Sequence, residues 1–308
     1  MSQTRHFGGR WQSRSERGTR RGGAYLFLTP WMAGLVLITL GPLLASLYLS
    51  FTDYNLLSDP SWVGLENYRR MFFDDPRFYK ALGVTFTYVL VSVPLQLILA
   101  LMLAIVLNAG VRGLALYRSA YYLPSLIGGS VAVAILWRQV FGAEGVINAV
   151  LGAFGAENLP NWISNPQTAL GTLIVLNVWT FGSPMIIFLA GLRQIPTELY
   201  EQGSIDGVGR IGRLRYITLP LLTPIIFFNL VLQIIGAFQA FTPAFVVSGG
   251  TGGPVDSTLF YTLYLYERGF INFEMGYASA LGAVLLVLIG VLTAINFYAS
   301  KRWVHYND

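Results

Sequence analysis

Six stretches of this chain, 25–51, 82–108, 119–137, 169–192, 221–247 and 276–298, contain no Asp, Glu, Lys, Arg or His. No other feature restricts the fold so strongly, because an uncharged apolar run of about 20 residues is what a helix needs to cross the hydrocarbon core of a bilayer. Strands of a membrane barrel alternate apolar and polar residues with a period of two. These stretches are apolar all round, so helices are the expected element. Composition agrees, with 54% hydrophobic and 11% charged residues and a mean hydropathy of +0.57, where a soluble domain carries about 25% charged residues. The expected fold is an all-α membrane protein with six transmembrane helices within 25–300, a basic tail at 1–24 and a short tail at 301–308.

Charge gives the expected orientation. With six crossings, Arg5, Arg10, Arg14, Arg17, Arg20, Arg21, Arg112, Arg118, Arg193, Arg210, Arg213, Arg215, Lys301 and Arg302 fall on one side. Arg69, Arg70, Arg77, Lys80, Arg138 and Arg268 fall on the other. The positive-inside rule then predicts that both termini are cytoplasmic. The formal charge of +5 therefore reports insertion, not nucleic-acid binding. The apolar run after the arginine-rich start exceeds the 7 to 15 residues of a signal-peptide core, so it reads as a retained first span.

The chemical inventory is mainly one of exclusions. There is no GxxxxGK[ST] loop to cradle a nucleotide, so ATP hydrolysis by that route is not expected on this chain. Histidine occurs only at His6 and His305, and cysteine is absent; a metal centre, a buried imidazole base and thiol chemistry are not expected. The acids fall in loops, where solvation is the default. An ion-coupled secondary carrier needs ionisable groups at membrane depth, or broken helices whose ends hold an ion. The spans instead offer Gln96, Asn177, Trp179, Asn229, Gln233, Phe238, Gln239, Phe241 and Thr242. Amides exchange hydrogen bonds and aromatic planes cover apolar sugar faces, so this set suits the path of a neutral polyhydroxylated solute. The same residue types also bond helices to one another.

Between the fourth and fifth spans lies a polar stretch, about 193–220, punctuated by glycine. Pro196 can open a short helix and Gly207 can close it. Leu199, Tyr200 and Ile205 would offer apolar surface beside Glu198, Glu201 and Asp206. The spacing of Glu201, Gly203, Asp206, Gly207, Ile217, Leu219 and Pro220 resembles the cytoplasmic loop through which permeases of ABC importers touch their ATPase.

The order of Gly64-Leu65-Glu66-Asn67-Tyr68-Arg69, Tyr121-Tyr122-Leu123-Pro124-Ser125, Leu192 to Glu201 and Gly252-Gly253-Pro254 extends that resemblance to the maltose-type carbohydrate permeases. The resemblance implies the architecture of a type I ABC importer permease in a bacterial or archaeal cytoplasmic membrane. Its implied partners are a second homologous permease, two copies of an ABC ATPase that carry ATP and Mg, an extracytoplasmic sugar-binding protein and membrane lipid. No cofactor is expected on this chain. A di- or oligosaccharide such as maltose or trehalose is the implied cargo, with glycerol-phosphate or an ion-coupled carrier as alternatives.

Overall fold

The computed structural model describes residues 27–110 and 113–305. Tyr25, Arg112 and the six arginines of the N-terminal tail lie outside the described residues. Among the described residues the only strand-like pairing is one isolated bridge between Thr52 and Trp62; everything else regular is helical. Apolar side chains satisfy the bilayer while each helix closes its own backbone hydrogen bonds, so no sheet is needed.

The first span, α1 (Phe27–Leu49), carries no buried residues in its most apolar window. The second, α2 (Pro76–Asn108), is 33 residues long. At 1.5 Å per residue it measures about 50 Å and overshoots the hydrocarbon core. It begins earlier than the apolar run because Asp75 caps it, accepting hydrogen bonds from the amides of Arg77 (3.1 Å) and Phe78 (3.3 Å), with Pro76 in the first turn. That geometry satisfies orphan donors and brings Arg77 and Lys80 into the helix.

The third expected span is not one straight helix. It is a pair, α3 (Leu114–Ile127) and α4 (Val131–Val140), bent by 99°. Ser130 is extended at the bend, and its hydroxyl accepts from the amide of Val133 at 3.3 Å. Gly128 and Gly129 supply the flexibility. A short α5 (Val146–Ala153) follows. The fourth span is broken into α6 (Ala169–Trp179) and α7 (Gly182–Leu192) at Thr180 and Phe181.

After α8 (Thr197–Ile205) comes a bend of π-helix at Leu214–Thr218 that runs into α9 (Leu219–Phe238). The fifth span is interrupted at Gln239–Phe241 and resumes as α10 (Thr242–Ser248). A short α11 (Tyr261–Tyr266) and the last span, α12 (Met275–Ser300), complete the chain.

The core sits where α2, α7, α9, α11 and α12 meet, around Phe78, Phe188, Phe238, Tyr261, Tyr264 and Tyr277. Spans three and four touch through small residues: a Cβ on Gly128 would overlap Thr180, and one on Gly182 would overlap the Tyr121 carbonyl and the Ser125 hydroxyl. The Tyr121 to Ser125 segment is thus a backbone surface laid against Gly182.

The loops opposite the 193–220 end are locked together by charge. Arg77 holds Asp256 (2.9 Å) and Glu267 (2.6 Å), Arg70 holds Glu274 (2.9 Å), and Arg268 reaches Glu274 (3.4 Å) and Asp75 (3.9 Å). Asp75, 6% exposed, also accepts from the hydroxyls of Tyr264 and Tyr277. These acids are not the solvated loop residues expected from sequence. In the same region Asn67 donates to the carbonyls of Ser50 (2.9 Å) and Thr52 (2.7 Å), and the amide of Gly276 donates to the carbonyl of Tyr54 (2.8 Å). The first loop therefore ties the end of α1 to the start of α12.

Burial opposes ionisation of Asp75, but the two tyrosine hydroxyls, the Phe78 amide and the charge of Arg268 outweigh it and hold the carboxyl below its usual 3.8. The stabilisation is therefore complete above that value and is lost as pH falls through the native one. Asp75→Asn should lower stability at pH 7 by about 1–3 kcal/mol. In thermal melts of the purified protein, the gap between variant and wild type should close on acidification below pH 3.8. A gap that stays constant with pH would show that the carboxylate charge is not what stabilises the loops.

Candidate functional site

The three helix breaks converge. Gly128 and Gly129 from the third span, Asn177 and Thr180 from the fourth, and Ala240, Phe241 and Thr242 from the fifth line one cavity of about 270 Å³, with Tyr88 of α2 and Gly236 of α9. Every lining residue is uncharged. A helix break in lipid would leave carbonyls and amides without partners; here side chains supply them for the Thr180 and Ala240 carbonyls. Gln96 does so directly, donating from Nε2 to the carbonyl (3.2 Å) and hydroxyl (3.0 Å) of Thr180. The Thr180 hydroxyl in turn donates to the carbonyl of Asn177 at 2.7 Å. Asn177 Nδ2 reaches Ser92 Oγ at 3.0 Å and Gln96 Oε1 at 3.5 Å.

The cavity therefore has an amide and hydroxyl wall, with the ring of Phe241 also lining it. Such a wall can exchange hydrogen bonds with hydroxyl groups while offering an apolar plane to a ring.

The residues proposed from sequence divide accordingly. Asn177, Phe241 and Thr242 lie on the cavity. Trp179 packs against Trp137 at 5.8 Å between ring centroids, outside the cavity lining. Phe238 is a core residue, edge-on to Phe86 at 5.2 Å and 2% exposed. Gln239 is exposed and lines a separate apolar groove of about 740 Å³ between α1 and α12, beside Leu43, Leu47 and Val287. Asn229 is fully buried, and neither of its amide atoms has a hydrogen-bond partner among the described residues. Gln233, one turn on and half-buried, is not part of the cavity lining.

Tyr88, Ser92 and Thr180 went unnoticed in the sequence. Their signal was spacing: Ser92 and Gln96 are four apart, Asn177 and Thr180 three apart, so each pair shares one face of an apolar helix.

At the far end, residues 197–220 fold as a helical hook. α8 follows Pro196, which stands as the capping residue rather than in the first turn. It ends at Gly207, whose φ of +75° only glycine adopts freely. The Gly207 amide donates to the Ser204 carbonyl (3.2 Å) and the Val208 amide to the Gly203 carbonyl (2.8 Å), a Schellman closure.

Gly203 is buried, and a Cβ there would sit 3.0 Å from Cδ1 of Ile217. The glycine serves contact with the returning π-helical segment of the same hook. Tyr200 and Thr218 share a hydrogen bond of 3.0 Å, which draws Tyr200 inward. Leu219 and Pro220, half-buried, open α9. Glu198, Glu201 and Asp206 remain exposed beside Leu199. Ile205 is 86%, Ile211 82% and Tyr216 71% exposed. Large apolar side chains and acids are thus exposed together on the hook.

Comparison with known proteins agrees with this architecture. Residues 73–305 match the family described as binding-protein-dependent transport system inner membrane component. The chain is 53% identical over 297 residues to the probable ABC transporter permease protein YesP of Bacillus subtilis (strain 168), covering 96% of each. It is 35% identical to the lactose transport system permease protein LacF of Rhizobium radiobacter (90% of this chain, 94% of that one). It is 33% identical to the arabinooligosaccharides transport system permease protein AraP of Bacillus subtilis (strain 168) (92% and 90%). Among solved structures, a chain of a bacterial alginate ABC transporter in complex with an alginate pentasaccharide-bound periplasmic protein superposes with a TM-score of 0.77 at 22% identity, covering 92% of this chain and 96% of that one. That likeness establishes the fold. The chain belongs to the binding-protein-dependent transport system inner membrane components, the permease subunits of ABC transporters.

Proposed function

We propose that this permease forms half of the path by which an oligosaccharide enters the cell. The cavity carries the reading: three broken helices meet at a lining of amide, hydroxyl and aromatic groups with no charged side chain. A neutral, many-hydroxyl solute can trade its water hydrogen bonds for these, whereas glycerol-phosphate would be desolvated beside no cation. The names of LacF and AraP support the di- or oligosaccharide class implied by the resemblance, without singling out its examples maltose and trehalose.

Helix breaks at this depth also occur in ion-coupled carriers, but the family match supports ATP-driven transport. In this reading both termini face the cytoplasm. A second homologous permease completes the path, an extracytoplasmic binding protein delivers the sugar, and two ATPase subunits bind ATP and Mg. Closure of the ATPases moves the 197–220 hook as a rigid lever, and the spans reorient about their breaks. Glu198, Glu201, Leu199 and Ile205 contact the ATPase, while Gly203, Gly207, Ile217, Leu219 and Pro220 keep the hook in shape. Asn177 and Phe241 touch the sugar. Trp179 and Phe238 hold the surrounding core.

Two measurements test this. The permease, reconstituted with its partner permease, ATPases and binding protein, should take up labelled lactose or an arabinooligosaccharide only with ATP; uptake by the chain alone on an ion gradient would refute the assignment. In that system Asn177→Leu should slow uptake about tenfold, the equivalent of one lost hydrogen bond of about 1.4 kcal/mol.

The lever is tested separately. Gly203→Trp places an indole where a Cβ alone would already sit 3.0 Å from Ile217 Cδ1. It should leave membrane insertion intact but abolish ATPase co-purification and uptake, while Gly203→Ala, which meets only the flexible tip of Ile217, keeps most of both. Normal co-purification and uptake by Gly203→Trp would show that the hook does not transmit the stroke.

A further inference from the structure

Four aromatic rings run from the cavity to the end opposite the hook. Phe241, on the cavity wall, stacks on Phe245 at 5.2 Å and 27° and meets Tyr266 at 5.2 Å. Tyr266 is edge-on to Phe245 at 5.5 Å and stacks on Phe270 at 5.3 Å and 24°. Phe241 is the capping residue of α10, which carries Phe245 one turn on, and Tyr266 ends α11 just before the π-helical turn Glu267–Ile271 that carries Phe270.

The run is not sealed like the core. Phe270 is 55% exposed, whereas Phe238 is 2% exposed; Phe241, Phe245 and Tyr266 are half-buried. The hydroxyl of Tyr266 makes no hydrogen bond among the described residues, unlike those of Tyr261, Tyr264 and Tyr277.

The rings are also held in position. Thr262 Oγ1 donates to the Ala240 carbonyl at 2.5 Å, which fastens the segment bearing Tyr266 to the break that bears Phe241. Glu267 and Arg268, next to Tyr266, belong to the charged clasp through Arg77 and Asp75. Partly open planar rings on an anchored backbone, leading to a polar uncharged cavity, match the chemistry of a sugar ring, whose C–H face is apolar and whose edge is hydroxyl.

We propose that Phe245, Tyr266 and Phe270 form an entry subsite, where one ring of an oligosaccharide lies against the aromatic planes before the sugar reaches Phe241 and Asn177. The Tyr266 hydroxyl hydrogen-bonds the edge of that ring. The proposal rests on the oligosaccharide reading above.

The test uses the full transporter in proteoliposomes, with saturating sugar-loaded binding protein, so that the permease and not delivery is measured. Phe270→Ala should cut uptake per ATP hydrolysed about fivefold, and more for an arabinooligosaccharide than for lactose, because the longer chain spans more of the run. Phe270→Trp should restore coupling, whereas Phe270→Leu should not. A packing role would be met by leucine, so wild-type coupling in Phe270→Leu overturns the subsite.

Because the chain has no cysteine, Phe270→Cys creates its sole thiol. A membrane-impermeant maleimide should label it from the side opposite the hook, and no labelling would place the rings against lipid and overturn the proposal. Absence of sugar uptake by the wild type would instead refute the oligosaccharide reading. Wild-type uptake with unchanged coupling in Phe270→Ala and Phe270→Leu would refute the subsite alone.

Discussion

Every polar backbone group inside a bilayer must find a partner within the protein, and the rest of this structure follows from how that demand is met. Over most of its length the chain meets it with unbroken helices. At one level it does not: the third, fourth and fifth spans all lose their regular hydrogen bonding at nearly the same place. The breaks persist because they lie against one another. Gln96 satisfies Thr180, and glycines at 128 and 182 let the backbones approach. A cavity results that is polar without being charged.

Two rigid devices flank that cavity. On one side, the clasp of Arg70, Asp75, Arg77, Asp256, Glu267, Arg268 and Glu274 joins loops far apart in sequence. Its pairs are partly sheltered, and Asp75 is also a helix cap, so the network fixes the register of the second and last spans. On the other side, the hook is closed by a left-handed glycine and by contact of Gly203 with Ile217. Between them, broken helices are the compliant part. In the proposed cycle, a push delivered through the hook would be absorbed where the backbone hydrogen bonding is already interrupted.

The chemistry of the cavity and the chemistry of the hook answer different parts of the functional question. In the proposed reading, Asn177, Thr180 and Phe241 bear on what is carried, and the exposed Ile205, Ile211 and Tyr216 on the same hook as Glu201 bear on what drives it. Sequence relationship links the two by placing the chain among permeases of ABC transporters.

Composition and spacing alone determined the all-helical membrane class, the positions of the spans to within a few residues for most of them, and the existence of the 193–220 hook. These are properties of local hydropathy and of glycine and proline placement, which need no tertiary information. Hydropathy alone does not mark the breaks, because uncharged residues continue through them: the Gly128-Gly129-Ser130 bend lies between apolar Leu126–Ile127 and Val131–Ile135, and a charge-free run reads the same straight or bent by 99°. The division of the polar residues was also invisible. Two apart on a helix, Asn177 and Trp179 must point to different sides, but only the fold shows that the side of Asn177 is the cavity while Trp179 packs on Trp137. The partners of Asp75 and Arg77 lie about 180 to 200 residues away. Only the folded arrangement decides such pairings, because which face of a helix is buried, and against what, is set by its neighbours and not by its own sequence.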